Sequence, residues 1–131
     1  MKFTAIDFET ANASMLSACS IGVVEFEDNV PVKETITLIR PPEEYGKFNW
    51  YNVRIHGIKK NMVKDAPTIE EVLPKVMEFF GDSVLVAHNA DFDTGFIRYN
   101  CEKQGLQFTN TYLDTLQLAK DLFPNFSKYK R

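Results

Sequence analysis

The chain is 131 residues long, with 44% hydrophobic and 25% charged residues and a net charge of −3 at pH 7. Its length predicts one domain, and the lack of an apolar run near the ~18 residues of a membrane span, or of a cationic segment leading an apolar one, predicts a soluble, cytoplasmic protein. The net negative charge argues against a protein that covers nucleic acid with a broad basic surface. It leaves open an enzyme that binds nucleic acid at a single site holding metal ions.

Three strands are predicted within the first 40 residues. The stretch KFTAIDFE (residues 2–9) has the apolar character of a buried strand, and both ACSIGVVEFED (18–28) and VPVKETITLIR (30–40) alternate along their length. Asp28 and Asn29 supply a turn between the second and third strands. Because the connections are short, we expect the three strands to be antiparallel neighbours.

The middle of the chain divides into an irregular part and a helical part. Residues 41–67 show no clean periodicity, so we predict a long irregular connection, of a kind that is usually functional or mobile. Residues 67–81 have apolar residues at helical spacing, a capping-box pair in Thr68 and Glu71, and a terminal Gly81. We therefore predict a helix there.

Strands and helices alternate in the last third of the chain. The stretch SVLVAH (83–88) has the apolar content of a strand buried on both faces, and residues 90–105 are predicted as a helix ending at Gly105. A short strand follows in TYLD, then a helix capped near Asp114 that ends before Pro124. The order β-β-β-α-β-α-β-α predicts an α/β fold with a mixed sheet flanked by helices.

Two acids interrupt the far end of the first strand. Side chains alternate along a strand, so Asp7 and Glu9 point to one side while Phe8 points to the other. Two like charges ~7 Å apart repel each other unless a cation lies between them. Ligand sets made only of oxygen favour Mg²⁺ or Mn²⁺. The sequence therefore predicts a divalent metal site at the end of this strand.

A third acid is expected from the segment LVAHNADFDTGF. A buried strand ends there and a helix begins, which is where α/β proteins build their sites. Both Asp91 and Asp93 lie in this segment. Asp93 falls between Phe92 and Phe96, apolar residues expected to fix the helix against the sheet.

The runs IDFETAN and VAHNADFDTGF together resemble the DEDD superfamily of 3′–5′ exonucleases, of the DEDDh type. This is the branch that contains the proofreading epsilon subunit of bacterial DNA polymerase III and related stand-alone exonucleases. The first family motif, Asp-x-Glu-Thr, matches the run that begins with Asp7 and contains Glu9. The second, typically His-Asn-Ala-x-Phe-Asp, matches residues 88–93, with Asp93 as the expected acid and Asp91 at the variable position. IHGI resembles the family loop that packs on the terminal nucleotide.

The resemblance implies an RNase H-like fold, a single exonuclease domain over residues 1–131 and two bound Mg²⁺ or Mn²⁺ ions. The implied catalytic residues and metal ligands are Asp7, Glu9 and Asp93. The implied nucleotide contacts are Thr10, His56, Ile58 and Phe92. The implied reaction releases nucleoside 5′-monophosphates from single-stranded DNA 3′ ends, in proofreading or repair, with a replicative polymerase as partner.

The third motif of the family is absent from the sequence. In the family it is a His followed five residues later by an Asp, which supply the general base and the fourth metal ligand. Of the two histidines, His56 has Asn61 at that spacing, and the Asp93 that follows His88 already serves the second motif. We therefore expect an incomplete, C-terminally truncated domain that is weakly active or inactive in this form and that self-associates through its open edge.

Two other functions stay open. RNA or short oligonucleotides could replace DNA, because discrimination at the 2′-OH depends on a few contacts. A non-catalytic nucleic-acid-binding or polymerase-associated module would fit the missing motif, although such a module has no physical reason to retain three acids.

Thr10 as a turn residue and His56 as an exposed loop histidine are the plain alternatives to nucleotide contacts. We expect His88 and Asn89 to hold the strand-to-helix turn by hydrogen bonds.

Overall fold

Five strands form one mixed sheet in the computed structural model, which describes residues 2–115. The strands are β1 (Lys2–Thr10), β2 (Ala18–Glu27), β3 (Val30–Leu38), β4 (Val84–Ala87) and β5 (Tyr112–Asp114). Their order across the sheet is β3-β2-β1-β4-β5. The first three strands are antiparallel neighbours, as predicted, and β4 and β5 run parallel to β1. Asp28 and Asn29, both with positive φ, make the predicted turn between β2 and β3.

The three helices of the described residues are α1 (Trp50–His56), α2 (Ile69–Phe80) and α3 (Ala90–Gln104). The predicted ends of α2 are confirmed, because Thr68 and Glu71 form the capping box and Gly81 follows the last turn. The predicted stop of α3 is also confirmed: Gly105 takes a left-handed conformation, which costs glycine little. The helix predicted after Asp114 lies outside the described residues.

The prediction of an irregular connection between β3 and α2 is wrong for part of its length. Residues 50–56 form α1, which begins after the N-cap Asn49 and ends at Gly57 in a left-handed conformation. The Asn49 side chain accepts a hydrogen bond from the Tyr51 backbone N–H. None of the residues of α1 is buried, so the helix carries no apolar stripe for periodicity to detect.

The hydrophobic core lies between one face of the sheet and helices α2 and α3. On the sheet side it contains Ile6 and Phe8 of β1, with buried residues of β2 and β4 beside them. Phe8 packs edge-on against Phe96 of α3, with ring centroids 5.3 Å apart and planes at 86°. This contact fixes α3 against the end of β1, and burial of both rings contributes most of its stabilisation.

The opposite face of the sheet is more exposed. Phe3 and Phe26 stack there with ring centroids 4.9 Å apart, whereas Ile36 is 80% exposed. Within residues 2–115, no helix has both the length and the apolar content that crossing a bilayer requires.

Candidate active site at the end of β1

The largest of the described cavities, ≈ 810 Å³, lies at the C-terminal end of β1. We call it the β1 pocket. It is lined by residues 6–10 of β1, by Tyr51, Asn52, Ile55 and His56 of α1, and by His88. Its volume lies within the range of sites that bind small molecules or a single nucleotide.

Sheet topology brings the two predicted motifs to this end of the molecule. β1 and β4 are parallel neighbours, with Ala5 opposite Val86, so their carboxyl ends lie side by side. The acids of β1 therefore lie next to the turn that leads from β4 into α3. An open edge of this kind, at the carboxyl ends of parallel strands, is where α/β sheets bind ligands.

Asp7 and Glu9 both line the β1 pocket. Asp7 is exposed, Glu9 is half-buried, and Phe8 between them is buried on the other face of the strand, as the alternation predicts. Carboxylate oxygens on a pocket surface are the donors that Mg²⁺ and Mn²⁺ prefer, so this pair fits such an ion.

The pairing of β1 with β2 shifts register between Glu9 and Thr10, so that Glu9 faces Ser20 and Thr10 faces Ala18. The extra residue in β2 is Cys19, which is fully buried. Burial, and then the nearby Glu9 carboxylate, raise the pKa of the Cys19 thiol to about 12. The thiol therefore stays protonated at neutral pH.

Asp93 lies in the first turn of α3 and is 1% exposed. It does not line the β1 pocket. Across residues 2–115, no three His, Cys, Asp or Glu side chains come together in an arrangement that could hold a metal ion. The structure thus brings Asp7 and Glu9 to one pocket, with Asp93 buried at the start of the neighbouring helix.

Two side chains of α1 hold that helix against the end of β1. The Asn52 amide donates to the backbone carbonyl oxygens of Thr10 at 3.1 Å and Asn12 at 3.4 Å, and to the Thr10 hydroxyl oxygen at 3.4 Å. His56 Nε2 lies 2.9 Å from the same Thr10 carbonyl oxygen. The Ile58 backbone N–H donates to His56 Nδ1 at 2.9 Å. We call Asn52 and His56 the α1 clamp.

These bonds define the state of His56. Because Nδ1 accepts a hydrogen bond, the proton of the neutral ring is on Nε2, which donates to Thr10. Both ring nitrogens are therefore used within the protein, which leaves the face of the ring for other contacts in the β1 pocket. Ile58 follows directly on this turn and is half-buried.

The turn between β4 and α3 is tied to the end of β5. His88 Nδ1 lies 3.0 Å from the Thr115 hydroxyl oxygen, and the Asn89 backbone N–H donates to the Asp114 carboxylate at 2.9 Å. Asn89 has a left-handed conformation (φ 63°), so the turn is strained for a non-glycine residue and these bonds stabilise it. His88 and Asn89 thus hold this turn as expected, Asn89 through its backbone.

Phe92 lies apart from the β1 pocket. It is 52% exposed and lines a shallow apolar depression together with Met15, Leu16, Phe96 and Tyr99. Of the four predicted nucleotide contacts, Thr10 and His56 line the pocket, Ile58 adjoins it in the chain, and Phe92 does not line it.

The pocket residues Tyr51 and Asn52 were missed by sequence reasoning, because the segment around them was interpreted as irregular, whereas Ile55 begins the IHGI motif. A signal was present nonetheless. Asn49 and Gly57 have the spacing of the N-cap and the C-terminal stop of a short helix.

Comparison with known proteins places the chain in a family. The family model described as Exonuclease (RNase_T) matches residues 4–131. The DNA polymerase III PolC-type protein of Caldanaerobacter subterraneus subsp. tengcongensis is 40% identical over an alignment 131 positions long, which covers 98% of this chain and 9% of that protein. The DNA polymerase III subunit epsilon of Aquifex aeolicus is 34% identical over 97% of this chain and 63% of that protein. The chain therefore spans a small part of its PolC-type relatives.

Solved structures agree with the sequence comparison. Exonuclease X in complex with 5′-overhanging duplex DNA superimposes with a TM-score of 0.72 at 30% identity, over 98% of this chain and 68% of that one. Product-bound exonuclease I superimposes with a TM-score of 0.77 over 99% of this chain and 34% of that one, and its 15% identity supports the fold alone. The predicted RNase H-like fold is thereby confirmed, and the chain belongs to the RNase_T exonuclease family.

Proposed function

We propose that the chain is a divalent-metal-dependent 3′–5′ exonuclease domain that releases nucleoside 5′-monophosphates from single-stranded DNA. The observation that carries this proposal is the β1 pocket itself. Asp7 and Glu9 line one side of this cavity of ≈ 810 Å³, and its other side is α1, which is hydrogen-bonded to the end of β1. Membership of the exonuclease family supports the reaction type.

Asp7, Glu9 and Asp93 are the proposed ligands of two Mg²⁺ or Mn²⁺ ions. Support comes from their chemistry, three carboxylates, and from the adjacent ends of β1 and β4. The end of β1 carries Asp7 and Glu9, and β4 leads into α3, which carries Asp93. Such ions, when bound, activate a water and stabilise the leaving 3′ oxygen of a phosphodiester. The task of the carboxylates would be to hold the positive charge of these ions in fixed positions between β1 and α3, where that charge would attract the scissile phosphate.

The terminal nucleotide is proposed to lie in the β1 pocket against α1. Thr10, the face of the His56 ring and Ile58 are its proposed contacts on that side. Phe92 lies outside the pocket, so we propose that it contacts a more distant nucleotide of a longer bound nucleic acid.

DNA is the proposed substrate, and a replicative polymerase the proposed partner. Both proposals rest on the relatives, which are DNA polymerase III components, and on exonuclease X, which is bound to DNA in its structure. RNA is the alternative substrate, and parallel assays on DNA and RNA of one sequence separate the two.

The test is a time course on a strand of about 20 nucleotides labelled at its 5′ end, in Mn²⁺, Mg²⁺ or EDTA. The assay uses this chain and the longest product of its gene that contains it. We expect a ladder of progressively shorter labelled strands that requires the metal, with nucleoside 5′-monophosphates as the unlabelled product. A label released as a mononucleotide at the earliest times would instead indicate attack from the 5′ end. Tight, 3′-end-specific binding without any release would support the non-catalytic module.

The α1 clamp gives a separate prediction. Asn52→Ala removes the amide bonds to Thr10, and we expect a stability loss of about 1–2 kcal/mol together with an increase in KM of several-fold. The matched control is Asn110→Ala. Asn110 also donates twice from its amide to backbone carbonyls, those of Gly81 at 3.1 Å and Ser83 at 2.8 Å, but it does not line the pocket.

Urea unfolding and steady-state kinetics on both variants check this prediction. We expect the two substitutions to cost similar stability while only Asn52→Ala raises KM. An equal rise in KM for both variants would mean that Asn52 acts through general stability rather than by positioning α1.

A further inference from the structure

We propose that the exposed face of α1 is a binding surface for the nucleotides that precede the 3′-terminal one, with Trp50 and Tyr51 stacking on bases and Arg54 reaching phosphate. This surface, which we call the α1 platform, is defined by those three residues. The proposal rests on the proposed function, because it extends the strand outward from the β1 pocket.

The exposure of its aromatic residues is the first observation. Trp50 is 70% exposed and Tyr51 64% exposed, although large aromatic side chains normally bury most of their surface. Neither residue contributes to the core. Adjacent exposed aromatic rings beside a ligand pocket are typical of surfaces on which unpaired bases stack.

The position of these rings on the helix is the second observation. Tyr51 and Ile55 lie one turn apart and both line the β1 pocket. Trp50 and Arg54 form the adjacent row of the same helix, directly beside the Tyr51 row. A single-stranded nucleic acid whose terminal nucleotide lies in the pocket therefore passes Tyr51 first and then Trp50 as its chain leads out of the pocket.

The third observation is the arrangement of Arg54 over Trp50. Its guanidinium carbon lies 5.3 Å from the centroid of the indole ring. This contact orients both side chains and places a cation next to a surface suited to bases. At 70% exposure the indole still presents an open face to a ligand.

Charge is segregated toward this side of the protein. Residues 40–64 contain six Lys and Arg against two Glu, a net charge of +4 in a chain whose net charge is −3. Another cavity, ≈ 270 Å³, is lined by three cations, Arg40, Lys60 and Lys64, and one acid, Glu43, together with Phe48, residues that flank α1 in the chain. Because the rest of the chain is acidic, a polyanion is attracted to the α1 side and repelled elsewhere.

These observations specify the occupant. Stacking rings with cations beside them suit single-stranded nucleic acid, whose bases are unpaired and whose backbone is anionic. A duplex offers no exposed base faces, so we expect it to bind the platform more weakly. Contacts of this kind read neither base identity nor sugar, and the platform should bind strands of any sequence.

The experiment uses the fluorescence of Trp50, the single tryptophan of the chain. It is measured in EDTA, which prevents cleavage, during titration with decathymidylate or with thymidine 5′-monophosphate. We expect saturable quenching by the decamer and none by the mononucleotide at the same nucleotide concentration. Quenching of equal size by both ligands, or by neither, would overturn the proposal.

Variants test the same surface independently of the fluorophore. Using the anisotropy of a 5′-dye-labelled decamer, we expect Trp50→Ala to weaken binding about tenfold and Trp50→Phe to retain most of the affinity. The matched control is Tyr99→Ala. Tyr99 is 47% exposed with Lys103 5.4 Å from its ring centroid, an equivalent pair that lies on α3 and not on α1, the helix that lines the β1 pocket. An affinity of Trp50→Ala equal to that of the unsubstituted chain, or an equal loss in Tyr99→Ala, would refute the platform.

The platform and the proposed nuclease activity fail in different ways. Normal cleavage of a dinucleotide combined with unchanged decamer binding in Trp50→Ala refutes the platform alone. Trp50-dependent binding of the decamer, without any release of nucleotide by the longest product of the gene, contradicts the activity and leaves the platform in place.

Discussion

Replacing Asp7 by asparagine is expected to lower the rate of nucleotide release on the order of 10³-fold or more, while the protein stays folded. The amide keeps the shape of the side chain but loses the charge that is proposed to hold a divalent ion, and a group acting mainly in the transition state has effects of this size. Asp7 is exposed, so the change should not weaken the fold. It also removes repulsion from Glu9, and we expect an unchanged or slightly higher urea midpoint.

Asp91→Asn is the matched control for Asp7→Asn. Asp91 is also an exposed acid near the start of α3, but it does not line the β1 pocket, and its carboxylate accepts a hydrogen bond from the Tyr112 hydroxyl at 3.1 Å. We expect it to retain at least half of the activity. Activity above about a tenth in Asp7→Asn, or an equal loss in Asp91→Asn, would contradict the assignment of Asp7 as a metal ligand.

Replacing Phe8 by alanine is expected to cost about 3–5 kcal/mol of stability. Phe8 is 2% exposed, and the substitution removes its edge-on contact with Phe96 and leaves a cavity between β1 and α3. Domains of this size are stable by about 5–15 kcal/mol, so a large share of the total is lost. Urea unfolding followed by circular dichroism measures the change.

Phe3→Ala provides the comparison for Phe8→Ala, because Phe3 also belongs to an aromatic pair. Phe3 stacks on Phe26 on the more exposed face of the sheet and is itself half-buried. We expect a loss of about 1–2 kcal/mol, since less surface returns to water and no closed cavity is left. A cost for Phe8→Ala no larger than that for Phe3→Ala would show that the core is not organised around the contact between β1 and α3.

The strands and the long helices were predictable because burial leaves a pattern in the sequence. In β1 the buried Thr4, Ile6 and Phe8 alternate with more exposed residues, and α2 buries Ile69, Val72 and Val76 at helical spacing. The C-terminal ends of the long helices were equally predictable, because Gly81 and Gly105 stop them.

Helix α1 could not be predicted in the same way. It is seven residues long and buries none of them, so hydrophobic periodicity carries no information about it. Its position depends on hydrogen bonds from Asn52 and His56 to Thr10, which lies 42 and 46 residues away in the chain. Such long-range polar contacts are set by the tertiary structure, and local sequence does not encode their partners.

The candidate site was predictable in part for a similar reason. Asp7 and Glu9 could be identified because charged residues at the end of a buried strand are costly without a function, and the strand alternation gave their common side. The burial of Asp93 could not be predicted, because its 1% exposure depends on how α3 packs against the sheet. The lining residues of α1 depend on that helix, for which the sequence offers only the N-cap Asn49 and the terminal Gly57 as signals.

Binding of Mn²⁺, followed by electron paramagnetic resonance in the presence of thymidine 5′-monophosphate, tests the proposed metal centre most directly. We expect that the chain binds Mn²⁺, that Mg²⁺ displaces it, and that Asp7→Asn and Asp93→Asn each weaken binding at least about tenfold while Asp91→Asn does not. Absence of bound Mn²⁺ up to millimolar concentration, or unchanged binding in Asp7→Asn and Asp93→Asn, would contradict a metal centre formed by the acids of β1 and α3.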